Sequence, residues 1–136
     1  MSRFVLLEHV GHPDDAGGRH FDLLLEDGPA CRTWKLLDVP QPGGDAVAAR
    51  ELPRHRLEWL DTQQAAVSGN RGVARRIDAG TYEPVTLDAD SLADAGSLVL
   101  QVAGTRVAGQ LRLEAVGDGW AVRLGEERQT DPASQV

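Results

Sequence analysis

The chain has 136 residues, a formal net charge of −7, a hydrophobic fraction of 41%, an aromatic fraction of 4% and a single cysteine. That length fits one domain with one core, and the core must be built of Leu, Val and Ala rather than of rings. No apolar run approaches the ~20 residues needed to cross a bilayer, and no basic segment followed by a long apolar run marks a secretion signal. Cys31 alone forms neither an internal disulfide nor a thiolate metal cage, so the expectation is a reducing, cytoplasmic setting with no membrane partner.

In chain order, residues 3–10 (RFVLLEHV) are short, apolar and partly β-branched, which predicts a buried strand. The stretch GHPDDAGG at 11–18 predicts a loop. Next comes HFDLLLEDG at 20–28. As a strand it places His20, Asp22 and Leu24 on one face and Phe21, Leu23 and Leu25 on the other. TWKLL at 33–37 predicts a further strand, 40–44 a loop, and 55–60 either a strand or a helical turn. GVARRID at 72–78 predicts a strand closed by Asp78-Ala79-Gly80, with 81–85 returning and a short helix over 88–95. Residues 98–102, 107–114 and 120–124 predict a strand meander turned at Gly104 and at Gly117-Asp118-Gly119. The polar tail 126–136 is expected to be disordered. The fold class is therefore mostly β, a small closed or sandwich-like barrel of about seven or more short antiparallel strands within residues 1–125.

The acidic net charge argues against a general polyanion binder, but its distribution is uneven. Six arginines (Arg50, Arg54, Arg56, Arg71, Arg75, Arg76) face three acids between positions 50 and 76, giving +3 there and −10 elsewhere. The planar guanidinium fork suits phosphate oxygens. His20 and Asp22, two apart on a strand, project from one face and reach one ion. Their apolar opposite face would fill the core, so the pair belongs in a barrel mouth or cleft, where an unpartnered carboxylate is costly. An ordinary solvated strand face gives the same spacing. His9, at the end of the first strand, and His55, within the arginine cluster, add imidazoles. Such a set suits Mn, Fe, Zn or Ni. His12 reads as surface, Cys31 as a buried small residue, Trp34 and Trp120 as core, Trp59 as core or a base-stacking ring, and Lys35 and Arg123 as surface charge. Ser68 in SGNRG reads as a turn or a phosphate-cradling loop.

The runs FVLLEH, RHFDLLLEDG, TWKLLDVP, LPRHRLEWLD and GVARRIDAGTYEP, followed by the meander ending in GWAVRL, resemble the 3′-phosphoesterase domain of bacterial DNA ligase D in order and spacing. The likeness spans residues 3–124. It implies a Mn-dependent phosphomonoesterase and phosphodiesterase (Zn is an alternative metal) that trims blocked 3′ ends of nucleic acid in DNA repair, with repair ligase or polymerase proteins as partners. His9, His20 and Asp22 match the family's metal ligands, and His55 matches a histidine that contacts phosphate. His55 and His20 are thus the expected catalytic residues, and His12 competes with His9 for the first ligand position. The family's Arg two residues after the Asp is Leu24 here, and its Tyr after the later His is Trp59. Arg19, Arg54, Arg56 and Arg71 are the expected phosphate-binding replacements. A metal- or nucleic-acid-binding module that has lost turnover is the second expectation. A non-haem iron or cupin-type enzyme using His20, Asp22 and Glu26 ranks third.

Overall fold

Alternating side chains along nine strands decide the architecture of the computed structural model, which describes residues 2–126. The strands are β1 (Ser2–Val10), β2 (Arg19–Asp27), β3 (Ala30–Leu36), β4 (Val47–Arg56), β5 (Gln64–Ala66), β6 (Val73–Leu87), β7 (Ser97–Ala103), β8 (Ala108–Val116) and β9 (Gly119–Leu124). Every pairing is antiparallel, in the order β1-β2-β3-β4-β9-β8-β7-β6-β5, and β1 also pairs with β6. That last pairing closes eight strands into a barrel and leaves β5 outside it. The closed, mostly β architecture expected from the sequence is the one observed. Closure removes the unpaired edges that an open sheet would expose. Among the described residues, no helix is long and apolar enough to cross a membrane.

The barrel interior holds Phe4 and Leu6 of β1, Phe21, Leu23 and Leu25 of β2, Trp34 and Leu36 of β3, and the alternate leucines and valines of β7, β8 and β9. One end is plugged by Arg32, which is buried. Its guanidinium donates to Glu51 and to the carbonyls of Leu92 and Ala95, and lies 4.8 Å from the Trp34 ring centroid. Trp34 is thus a core residue, and Trp120, half-buried, packs against it edge to face at 5.3 Å.

Two features differ from the sequence expectation, and a third combines the alternatives it left open. Residues 72–78 and 81–85 belong to one strand, β6, which runs straight through Asp78-Ala79-Gly80. Asp78 accepts the amides of Ala79, Thr105, Arg106 and Val107, so it anchors the β7–β8 turn and not one of its own. The helix expected over 88–95 is reduced to a 3-10 turn at Leu92–Asp94, because the carbonyls of Leu92 and Ala95 bond to Arg32. Residues 55–60 contain both alternatives, with His55 and Arg56 ending β4 and a 3-10 turn at Leu57–Leu60. Apart from Glu126, the tail expected at 126–136 lies outside the described residues.

Candidate metal centre

The outward face of β1 and β2 carries the second set of alternating residues. His9 pairs directly with His20 across the two strands, and Leu7 pairs with Asp22. Cross-strand partners have Cβ atoms about 5 Å apart, so strand register alone brings the imidazoles together, with Asp22 one step along the same face. All three are buried. The pair expected in a barrel mouth or cleft thus lies in a cleft on the barrel's outer wall, roofed by the 3-10 turn, β5 and the β5–β6 loop.

Each imidazole is held from behind. His9 Nε2–H donates to the Arg71 carbonyl, which has no proton to offer in return, so Nδ1 is left facing Asp22 Oδ2 at 3.5 Å. His20 Nδ1–H donates to Asp15 Oδ2 at 2.6 Å, leaving Nε2 facing Asp22 Oδ1 at 2.9 Å. Asp15 stays ionised. Burial would raise its carboxyl, but bonds from Lys35 (2.7 Å) and His20 lower it. Burial also opposes ionisation of Asp22, yet His20 and His9 lower it to about 2. Asp22 in turn raises His9 above 6.5, against the opposing effect of burial.

Asp22 Oδ1 is buried and makes no hydrogen bond, despite the short approach of His20. When both imidazoles are neutral, His9 Nδ1, His20 Nε2 and the Asp22 carboxylate converge with their lone pairs turned inward. One ligand atom from each of the three residues falls within 4.8 Å of the others. Ligands held about 2.1 Å from a shared ion stand roughly 3–3.4 Å apart, close to the 2.9 and 3.5 Å contacts here. Two imidazoles and a carboxylate, with no thiolate, fit a divalent cation such as Mn or Zn, and three protein ligands leave coordination positions open. The Asp15–His20 and Arg71–His9 bonds supply the outer support that metal-bound histidines need.

The triad floors a cleft of about 540 Å³, lined also by His12, His55, Lys35, Arg50, Arg54, Arg56, Arg71 and Trp59. His55 Nδ1–H donates to the Pro53 carbonyl, freeing Nε2 toward the cleft, beside a bulge in the β3–β4 ladder. Arg71 is braced by Ser68 through its carbonyl and hydroxyl, so the SGNRG loop positions an arginine. Arg54 is paired with Asp27 at 2.7 Å, and Arg56 stands 3.6 Å from Glu58. Arg50 makes no ion pair among the described residues.

Several sequence expectations change here. Arg19 is not in this cleft. It shares its strand face with Phe21, lies 5.5 Å from that ring, pairs with Glu8 and borders a separate cleft of about 450 Å³. Lys35, expected at the surface, is half-buried against Asp15. His12, also expected at the surface, is half-buried with its ring 5.4 Å from that of His9, and His9 supplies the triad's imidazole. Glu26 accepts the Arg3 amide at the far end of β2, away from His20 and Asp22. Leu24 is fully buried with Val5, Leu7, Cys31, Leu60 and Ala74, and Trp59 packs against this group. Sequence reasoning missed Asp15, since nothing in PDDAGG distinguishes it from its neighbour Asp14. The loop bonds Gly11–Gly18 and Gly18–Asp15 fold it back over His20. No family model matches the chain, and no curated protein matches it.

Proposed function

We propose that this protein is a Mn-dependent phosphoesterase acting on 3′ ends of nucleic acid in DNA repair. The observation that supports this reading best is the convergence of His9, His20 and Asp22 on the floor of an arginine-lined cleft, with each histidine oriented from behind. The resemblance to the ligase D phosphoesterase domain agrees with that ligand set. A divalent ion held by these three residues would withdraw electron density from a phosphoryl oxygen and make the phosphorus more open to attack by water.

The chain's own groups account for the rest. Arg50 and Arg71, with no carboxylate partner among the described residues, bind phosphate oxygens and balance charge that builds up on them. His55, with Nδ1–H on the Pro53 carbonyl, offers Nε2 as a base to the attacking water and, once protonated, donates to the leaving ester oxygen. Asp15 keeps Nδ1 of His20 protonated, so that Nε2 alone is the donor atom.

A binding module without turnover is the second reading, and one observation favours it. Leu24 and Trp59 stand where the family has an Arg and a Tyr, and both serve an apolar cluster instead of a phosphate. Hydrolysis of a 3′-phosphorylated primer-template with added Mn separates the two readings. The phosphoesterase releases phosphate, and His20→Ala lowers the release by at least about a hundredfold. No release from protein that still binds Mn hands the site to the binding module.

A further inference from the structure

The lining of the metal cleft is of two kinds, interleaved on the same elements. Lys35, Arg50, Arg54 and Arg71 are basic, and Leu7, Leu52, Pro53, Trp59 and Val67 are apolar. Apolar lining reaches the metal triad itself, because Leu7 is the direct cross-strand partner of Asp22. Trp59 is the one tryptophan lining the cleft among the described residues. It sits on the 3-10 turn at Leu57–Leu60 and is half-buried, packed against the Leu24 cluster while still bordering the cleft.

A bare phosphate has no use for an apolar wall. A nucleotide does, since its base has a flat π-face to lay on an aromatic ring while its phosphate meets the cations. The cleft volume of about 540 Å³ falls within the 300–1,000 Å³ typical of small-ligand sites, enough for more than a phosphate group. We infer that Trp59 is a stacking platform for the nucleobase next to the phosphate, so that the site selects nucleoside phosphates over phosphates on other alcohols. The inference rests on the proposed function in placing that phosphate at the triad.

The test titrates the full chain with adenosine 3′-monophosphate and, separately, with ribose phosphate, following tryptophan emission and binding heat. Adenosine 3′-monophosphate is expected to quench emission and to bind at least about tenfold more tightly than ribose phosphate. Trp59→Leu, which keeps an apolar residue against the cluster, should lose both the quench and the preference. Trp59→Phe should lose the quench and keep most of the preference. Equal binding of the two ligands, or a preference that survives Trp59→Leu, overturns the inference. Binding with the base preference but no hydrolysis leaves the inference standing and removes turnover. Hydrolysis without the preference does the reverse.

Discussion

β1 and β2 present two faces to two different surroundings, and the contrast between them shows how one barrel wall serves both stability and chemistry. Inward, Phe4, Leu6, Phe21, Leu23 and Leu25 join a single apolar core shared with most of the other barrel strands. Outward, Val5, Leu7 and Leu24 form a second and smaller cluster, and His9, His20 and Asp22 stand beside it on the same face. The inner face is uniform, so its stability comes from area and close packing. The outer face is mixed, and its polar groups are tolerable only because each has a specified partner or ligand. The lesson is that burial does not mark a core here. His9, His20 and Asp22 are about as enclosed as the leucines, yet only the leucines gain from the enclosure itself.

The contrast can be broken first from the inside. Leu23→Ala removes packing from the interior and should cost about 2–5 kcal/mol in chemical denaturation, while the folded fraction keeps its Mn affinity. Any large loss of Mn affinity in that variant would mean that the two faces are not separable. From the outside, Asp15→Asn should weaken Mn binding by about 10- to 100-fold by isothermal titration, with a smaller stability change than Leu23→Ala. Unchanged Mn affinity would remove the Asp15–His20 bond from the metal site's support.

The smallest effect expected is with pH. In metal-free protein, Asp22 raises His9, so its contribution to stability is complete below pH 6.5 and is lost as pH rises through the higher folded value. Metal binding has the opposite sign, because His9 must be deprotonated to be a ligand. Mn affinity should therefore fall as pH drops, beginning above pH 6.5 and reaching about tenfold per unit for one displaced proton. A flat profile down to pH 6 would take His9 out of the ligand set.

The inner face was largely legible in the sequence, since β1, β2, β3 and the final meander alternate cleanly or run apolar. β4 was not, because VAARELPRHR mixes small, charged and proline residues and reads as neither period. β6 was cut in two at Asp78-Ala79-Gly80, residues that usually make turns. Here Asp78 is used by a distant loop, and Gly80 passes where a Cβ would lie 2.0 Å from the Ala103 carbonyl oxygen. Of the site, His20 and Asp22 were legible from two-residue spacing, and His9 from its place at a strand end. The same spacing also sets Arg19 on the face of Phe21, a signal present in the sequence that argues against its joining the metal cleft. Asp15 and Lys35 were not legible as site residues, since their meeting depends on how the loop between β1 and β2 folds back across β2 and β3.

β6 keeps β1 on one edge from Val73 to Tyr82, while its other edge is taken by β5 at Val73–Arg75 and by β7 from Thr81 onward. The barrel's closure therefore does not depend on β5, a three-residue strand with one neighbour. Local opening of such an element costs far less than global unfolding. Amide hydrogen exchange at Gln64–Ala66 should therefore run faster than at the eight strands of the closed ring.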